Sequence, residues 1–117
     1  MTIIRANAWL AVLIVIILSM VPGNLRPHVL GNSGYEHFAA YFITSVLLAV
    51  GYSRPMQLLA ILVMLATCAG ILEIVQLSIP GRTASVGDFA AGTIGAWIGV
   101  LVVVVVRWVR VGTIAFL

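Results

Sequence analysis

Lysine is absent from this sequence, cysteine occurs once and acidic residues occur three times. Charged residues form only 8% of the chain and hydrophobic residues 63%, whereas soluble domains carry about 25% charged residues. This balance excludes both an ordinary soluble domain and a disordered tail. The few dispersed arginines cannot form a surface that follows phosphates, so nucleic acid is excluded as a partner. With Cys68 alone, neither an intramolecular disulfide nor a cysteine-rich metal motif can form.

The sequence consists mainly of long apolar runs, which predict that most of the chain lies in a lipid bilayer. Their ranges are residues 8–21, 38–51, 56–77 and 89–106. A membrane-spanning helix needs about 20 residues. The last two runs meet this need directly, and the first two do so with their flanks, at 5–22 and 36–52. Each run must be helical, because unpaired backbone groups are not tolerated in hydrocarbon. The sequence therefore predicts an all-α membrane protein, a four-transmembrane-helix bundle that forms one domain over residues 1–117.

The arginines predict which way this bundle faces. Four of them lie on the N-terminus, the second loop and the tail, against two on the first and third loops. In chain order the first group is Arg5, Arg54, Arg107 and Arg110, and the second is Arg26 and Arg82. The positive-inside bias then predicts an N-in/C-in topology. We expect the first run to persist as a helix rather than be removed as a signal peptide, because residues 19–23 make a poor cleavage site.

All three acidic residues fall at one end of the predicted bundle, which is the outer end in this topology. Glu36 begins the second helix, Glu73 lies in the last turns of the third, and Asp88 begins the fourth. His37 follows directly after Glu36, and Arg82 lies in the loop between the other two acids. An ionisable group at the centre of a membrane costs roughly 2.5–3.5 kcal/mol on insertion scales, and less near the interface. These five residues are therefore candidates for a functional site.

Helical spacing gives three of the helices an inward face of small or polar residues. The fourth helix carries Asp88, Gly92, Gly95 and Gly99 on one stripe, the third carries Ala66, Gly70 and Glu73, and the second carries His37, Tyr41 and Thr44. Glycines at this spacing form a groove that another helix can approach closely. The pattern predicts a tight bundle with its ionisable groups collected at the outer mouth.

Several candidates also have a purely structural interpretation. Ser85 and Asp88 fit the capping box that precedes an apolar helix. Glu36 fits the N-terminal end of a helix, where the dipole favours an acid. Glu73 opposes the dipole at a helix C-terminus, which predicts an ion pair with Arg82 as its structural role.

Three sequence blocks occur in order and with consistent gaps. They are His37-Phe-Ala-Ala-Tyr41, Glu73-Ile-Val-Gln76 and Pro80-Gly-Arg82 followed by Ser85 and Asp88, with Gly95 beyond them. Over residues 33–100 the chain resembles the VanZ-like family of small integral membrane proteins, which is named for a teicoplanin-resistance protein. The resemblance implies a bacterial plasma-membrane location, a link to the cell envelope and functional roles for the polar residues of the blocks. In this chain Ser33-Gly34 and Gly92 stand where members often have Asp-Lys and Asn.

Three functions are consistent with this pattern. In the first, the protein binds an anionic headgroup or a lipid-linked envelope precursor, with Arg82 as a bidentate donor held by Glu73 and Asp88. Glycopeptide resistance would follow from such binding. In the second, the protein is an enzyme acting on a lipid-linked substrate, with a Glu–His general base and Arg82 stabilising negative charge. In the third, it is a structural subunit that joins a membrane-protein partner through the glycine groove.

The chemistry of the candidate site is left open between these functions. The sequence has no HExxH, nucleophile elbow or Walker loop that would favour an enzyme. The acids and His37 are irregularly spaced for metal ligands, so the sequence predicts no metal site and no cofactor. The candidate site residues are Glu36, His37, Tyr41, Glu73, Gln76, Arg82, Ser85 and Asp88.

Overall fold

The computed structural model describes residues 2–25 and 31–115, and this part of the chain is helical apart from its connections. Its helices are α1 (Thr2–Met20), α2 (Ser33–Gly51), α3 (Pro55–Gln76) and α4 (Val86–Ala115). The prediction of an all-α fold is confirmed. Arg26, which contributed to the predicted topology, lies outside the described residues.

Three of these helices are long and apolar enough to cross a membrane. α1, α3 and α4 meet this condition by length and composition, and α2 does not. The prediction of a span is therefore supported by length and composition for three helices, whereas α2 falls short by this measure and its crossing stays a prediction. The physical reason is the polar first half of α2, where Glu36, His37 and Tyr41 interrupt the apolar sequence. α2 packs against each of the other helices, most extensively against α4, so protein surrounds much of its surface.

Local sequence signals set the ends of the helices. The Asn32 side chain accepts two backbone N–H groups from the first turn of α2 and caps that helix. Pro55 begins α3, a position where the N–H that proline lacks has no helical partner in any case. α4 continues to Ala115, well past residue 106, where the apolar run that predicted it ends.

A stripe of glycines on α4 lets α2 approach closely. A Cβ at Gly95 would overlap the backbone of Phe38, and a Cβ at Gly99 would overlap the side chain of Ser45. Both glycines are buried. The predicted glycine groove is confirmed, and α2 of the same chain fills it.

The two loops at the polar end of the bundle are joined through their backbones. The Gly23 N–H donates to the Pro80 carbonyl oxygen at 3.0 Å, and a Cβ at Gly23 would overlap the backbone of Gly81. Gly81 has a φ of +74°, in the left-handed region that glycine adopts without steric cost. We call this contact of Gly23, Pro80 and Gly81 the loop clasp. It ties the segment after α1 to the connection between α3 and α4.

Arginines organise the opposite end of the bundle. Arg5 Nε donates to the Gly51 carbonyl oxygen at 2.9 Å, and Arg107 Nη2 donates to the Ala49 carbonyl oxygen at 2.6 Å. Both carbonyls belong to the last turn of α2, whose negative dipole end favours cations. The Arg5 guanidinium also lies over the Tyr52 ring, 4.5 Å from its centroid. The two ends of the bundle therefore differ in charge. The acids lie at one end together with Arg82, and Arg5 and Arg107 lie at the other.

Candidate functional site

One histidine and two carboxylates from three different helices meet at the polar end. His37 Nε2 lies 3.3 Å from Glu73 Oε1, and His37 Nδ1 lies 3.9 Å from Asp88 Oδ2. A potential ligand atom from each residue lies within 4.8 Å of the other two. Glu73 is only 8% exposed and Asp88 only 9%. We call His37, Glu73 and Asp88 the polar cluster. Because its members come from α2, α3 and α4, the fold assembles it from positions far apart in sequence.

Hydrogen bonds from outside the polar cluster orient each of its members. His37 Nδ1 donates to the Ser33 carbonyl oxygen at 2.7 Å, and since a carbonyl can only accept, this nitrogen carries the hydrogen. The Ser33 hydroxyl donates to Asp88 Oδ1 at 3.0 Å. The Ser85 backbone N–H donates to Glu73 Oε2 at 2.9 Å. These bonds leave His37 Nε2 and Glu73 Oε1 directed at each other.

Ser85 caps α4, but the capping box is shared between two helices. The Asp88 N–H donates to Ser85 Oγ at 3.2 Å, as the box requires. In a box within one helix the acidic side chain would accept the N–H of the capping serine. Here Glu73 accepts that N–H instead. The Asp88 carboxylate is thereby left to contact Ser33 and His37, so a capping motif also builds the site.

Gln76 and Arg82 converge on the end of α1. Gln76 Nε2 and Arg82 Nη2 each donate to the Ser19 carbonyl oxygen, both at 3.2 Å. Ser19 lies in the last turn of α1, where backbone carbonyls have no partner within the helix. These two bonds hold α1 against α3 and the third loop. The ion pair of Arg82 with Glu73 stays a prediction.

Two cavities of different character meet at the polar cluster. A polar cavity of about 190 Å³ lies beneath the loop clasp and is lined by Ser33, Gln76 and Asp88, among others. An apolar cavity of about 460 Å³ lies between α1 and α2. His37 and Arg82 line both cavities. The two spaces are therefore adjacent and share a polar boundary.

The apolar cavity opens sideways from the bundle. Its walls include Ala11, Ile14 and Leu18 of α1 and Ala40 and Ile43 of α2. Ile14 is 46% exposed, Leu18 42% and Ile43 55%. Because these lining side chains are about half exposed, the cavity communicates with the outer surface of the helices rather than being enclosed.

Glu36 and Tyr41 lie beside the polar cluster. Glu36, in the first turn of α2, lines the apolar cavity. Tyr41 is 2% exposed, and its ring packs on Gly92, where a Cβ would come within 3.0 Å of a ring carbon. All eight residues predicted for the site thus lie at or next to this end of the bundle, and the polar cluster brings three of them into direct proximity.

The sequence patterns did not identify Ser33 or Ser19 as part of the site. Ser33 contributes its hydroxyl to Asp88 and its carbonyl oxygen to His37. The available signal was its position four residues before His37, because residues i and i+4 share a helix face. Ser19 contributes only its backbone carbonyl, which no pattern of side chains reveals.

A family model described as VanZ/LLP1 matches residues 3–107. The chain belongs to the VanZ/LLP1 family. The match includes α1, which the sequence blocks over residues 33–100 did not cover, and the predicted family is confirmed. Comparisons with curated proteins and with solved structures returned no match.

In this VanZ/LLP1 chain the site combines groups of opposite chemistry around one small space. The polar cavity contains the guanidinium of Arg82, which can bind an anion in a bidentate manner. It also contains the imidazole of His37 and the carboxylate of Asp88, which can exchange protons or bind a cation. The adjoining apolar cavity has an apolar surface against which a hydrocarbon chain can be buried.

Proposed function

We propose that this VanZ/LLP1 protein is a multi-pass protein of the bacterial plasma membrane that binds an anionic, lipid-linked envelope component. The observation that carries the proposal is the junction of a polar and an apolar cavity at His37 and Arg82. An amphiphile has the same two parts, a charged headgroup and a hydrocarbon chain, joined by a covalent bond. In the proposed complex the headgroup lies against Arg82 and the chain lies between α1 and α2.

The position of Arg82 supports recognition of an anionic headgroup. A guanidinium presents a planar fork that matches phosphate and carboxylate groups. The hydrogen bond from Arg82 Nη2 to the Ser19 carbonyl oxygen orients this fork at the boundary of the cavities. Asp88 lines the polar cavity as well and repels an anion, which confines the headgroup to the side of Arg82.

The apolar cavity supports binding of a hydrocarbon chain. Its volume of about 460 Å³ lies in the range of small-molecule sites, roughly 300–1,000 Å³. Each methylene moved from water to such a surface contributes about 0.8 kcal/mol. A chain already in the bilayer gains less, so the headgroup supplies most of the selectivity.

In this proposal all four helices cross the membrane and both termini lie in the cytoplasm. α2 crosses in contact with the other three helices, and its polar stripe meets protein, which explains why its composition is less apolar than that of its neighbours. Arg5, Arg54 and Arg107 then lie on the cytoplasmic side, in agreement with the positive-inside bias. The polar cluster lies at the outer face.

Native mass spectrometry of the purified protein tests the headgroup preference. The protein is titrated with farnesyl phosphate, farnesol and inorganic phosphate, which represent the amphiphile and its two halves. We expect one farnesyl phosphate per chain and at least tenfold weaker retention of either half. Equal retention of farnesol and farnesyl phosphate would contradict recognition of the anion.

Paired variants test the two cavities separately. Arg82→Lys keeps the charge but removes the fork, and we expect at least tenfold weaker binding, because hydrogen bonds to charged groups contribute about 1.5–3 kcal/mol. Arg54→Lys in the exposed α2–α3 turn is its control.

Ala40→Phe fills the apolar cavity and should also weaken binding, whereas Ala60→Phe on the exposed face of α3 should not. Unchanged affinity in both Arg82→Lys and Ala40→Phe rejects the proposal.

We extend the proposal to the glycopeptide response on the basis of the resemblance described above. A protein that binds an envelope precursor at the outer face reduces access of teicoplanin to its target. Expression in a teicoplanin-susceptible bacterium should raise the inhibitory concentration, and Arg82→Lys should remove the effect while Arg54→Lys retains it. Equal inhibitory concentrations with and without the protein would reject this extension but not the binding site.

An enzyme acting on a lipid-linked substrate is the second candidate function. The observation that favours it is the 3.3 Å distance from His37 Nε2 to Glu73 Oε1, close to the reach of a proton-transferring pair. Purified protein would be incubated with farnesyl diphosphate, and phosphate release would be measured. This hypothesis predicts release that His37→Gln and Glu73→Gln abolish. Release that both variants retain, or no release, rejects this version of the enzyme.

A further inference from the structure

The contact between His37 and Glu73 lacks a positive charge when the imidazole is neutral. Nδ1 of His37 carries the hydrogen, because it donates to the Ser33 carbonyl oxygen at 2.7 Å. In the neutral ring Nε2 then has only a lone pair. That lone pair lies 3.3 Å from Glu73 Oε1, which is also an acceptor. Two acceptors at this distance require a proton or a metal cation between them.

The two buried carboxylates of the polar cluster need positive charge close to them. The side chain of Glu73 is 10% exposed and that of Asp88 is 12% exposed, so both carboxylates are largely buried. Buried charges are stable only when they are compensated nearby. Arg82 lines the same polar cavity as Asp88 and supplies one positive charge. The other can come from a proton on His37 or from a divalent ion, and the ion binds both carboxylates directly and leaves the imidazole neutral.

The surroundings of the polar cluster resemble the outer coordination sphere of metal sites. A histidine that binds a metal usually donates its other ring nitrogen to a carbonyl or carboxylate, as His37 does to Ser33. Carboxylate ligands are likewise held by hydrogen bonds, as Ser33 holds Asp88 and Ser85 holds Glu73. Each of the three residues is thus oriented through one atom and keeps another for a ligand.

We propose that His37, Glu73 and Asp88 bind one divalent transition-metal ion. Their potential ligand atoms lie within 4.8 Å of one another, and the Nε2–Oε1 distance of 3.3 Å suits two ligands at roughly 2.0–2.2 Å from a shared ion. One imidazole and two carboxylates suit Zn²⁺ or Mn²⁺ better than Mg²⁺, which prefers oxygen ligands alone. Three protein ligands leave a coordination position open for a further ligand.

This proposal departs from the sequence expectation of no metal site. That expectation rested on irregular spacing along the chain, and spacing is informative only when ligands share one helix or loop. Here the ligands come from α2, α3 and α4. The metal site does not depend on the proposed lipid, and metal titration tests it separately.

Metal titration of the purified, full-length protein tests the proposal. The protein is stripped with EDTA, and binding of Zn²⁺, Mn²⁺ and Mg²⁺ is measured by calorimetry and by metal analysis after gel filtration. We expect one Zn²⁺ per chain, weaker Mn²⁺ in accordance with the order of intrinsic affinities, and at least a hundredfold weaker Mg²⁺. Absence of Zn²⁺ binding, or equal affinity for Zn²⁺ and Mg²⁺, overturns the proposal.

Matched carboxylate variants identify the ligands. Glu73→Gln and Asp88→Asn each remove one candidate ligand and should weaken Zn²⁺ binding by tenfold or more. Ser78→Ala, in the exposed turn after α3 at the same end of the bundle, removes no candidate ligand and should leave Zn²⁺ affinity unchanged. Equal affinity in all three variants would place the ion elsewhere and overturn the assignment.

Two further measurements keep the test valid if a ligand variant fails to fold. Ser33→Ala keeps all three ligands but removes the hydroxyl that orients Asp88, and we expect about tenfold weaker Zn²⁺ binding. Co²⁺ added to the unchanged protein should give a visible absorption band that His37→Gln alters and Ser78→Ala does not. Zn²⁺ affinity unchanged in Ser33→Ala together with an unaltered Co²⁺ spectrum in His37→Gln contradicts the proposal. Binding of farnesyl phosphate without binding of Zn²⁺ would reject the metal site and leave the proposed lipid site intact.

Discussion

At the scale of single residues, serines connect the helices at the polar end. Ser33 of α2 donates its hydroxyl to Asp88 of α4, and Ser85 donates its N–H to Glu73 of α3. Each carboxylate is therefore fixed by a residue from a different segment of the chain. Such charged hydrogen bonds contribute more to stability than neutral ones, so small polar residues carry much of the geometry here.

The Ser33→Ala variant measures the stability that one of these bonds supplies. The change removes the hydroxyl but keeps the backbone carbonyl that accepts from His37. We expect a loss of about 1–2 kcal/mol in the free energy of unfolding, since the Asp88 carboxylate loses a donor. Thermal unfolding in detergent, followed by circular dichroism, gives the value.

Ser53→Ala is the control for that measurement. Ser53 is exposed in the turn between α2 and α3, and its replacement should change the free energy of unfolding by less than about 0.5 kcal/mol. If Ser33→Ala is as stable as Ser53→Ala, the hydroxyl bond to Asp88 contributes nothing measurable.

The residues of the site were partly accessible from the sequence. The acids and His37 could be identified from the sequence, because placing an ionisable side chain in a membrane costs free energy and such residues are therefore rare in an apolar chain. Their mutual contacts were not, because Ser33 and Asp88 are 55 positions apart and their meeting depends on how α2 packs on α4. The role of the Ser19 carbonyl could not be predicted for a different reason: every residue has a backbone carbonyl, so the sequence carries no signal for it.

At the scale of whole elements, α2 is the organising helix. It contacts each of the other helices, it carries His37 at one end, and its last carbonyls receive Arg5 and Arg107 at the other. Hydropathy predicted the existence of all four helices well, because long apolar runs have one stable backbone structure in lipid. It could not predict how the polar stripe of α2 is accommodated, because that depends on which helices pack against it.

Gly95→Ala tests the close approach of α2 and α4. The added Cβ would overlap the backbone of Phe38, which cannot rotate away as a side chain could. We expect a loss of about 3 kcal/mol, at the upper end of overpacking effects. The measurement is thermal unfolding, with labelling of the half-buried Cys68 as a second report of helix separation.

Gly112→Ala is the matched control on the same helix. A Cβ at Gly112 meets no atom of the described residues within 4 Å, and alanine is the better helix former. This variant should be as stable as the unchanged protein or up to about 1 kcal/mol more stable. Similar melting temperatures for Gly95→Ala and Gly112→Ala would show that α2 and α4 do not pack as described.

Arg107→Leu tests the capping of α2. Arg107 Nη2 donates to the carbonyl oxygens of Ala49 at 2.6 Å and Val50 at 3.3 Å. Removing these bonds from a helix C-terminus should cost about 2 kcal/mol in the free energy of unfolding. Arg110→Leu, three residues further along α4 and exposed, should cost less than about 0.5 kcal/mol. Equal losses in the two variants would mean that general charge, and not capping, is responsible.

At the scale of the whole molecule, the bundle is polarised along its length. The polar cluster and the loop clasp lie at one end, and Arg5 and Arg107 with the partly exposed Tyr52 lie at the other. Such a distribution suits a membrane in which cationic residues remain on the cytoplasmic side. It also gives α2 a definite direction between the two ends.

Cysteine labelling tests whether α2 crosses the membrane. Single cysteines replace Tyr35, Ser53, Thr83 and Gly112 in a Cys68→Ala background, and an impermeant maleimide is added to intact cells. With N-in/C-in topology, positions 35 and 83 react at once, whereas positions 53 and 112 react only after permeabilisation. Reaction of positions 35 and 53 from the same side would show that α2 does not cross.

The sideways opening between α1 and α2 determines how a ligand would arrive. The loop clasp covers the polar end, while Ile14, Leu18 and Ile43 leave the apolar cavity accessible along the flank of the bundle. For the proposed ligand, arrival is then a two-dimensional encounter by lateral diffusion within one leaflet. Occupancy would follow the mole fraction of the amphiphile among the surrounding lipids, and a water-soluble headgroup analogue would compete poorly even at high bulk concentration.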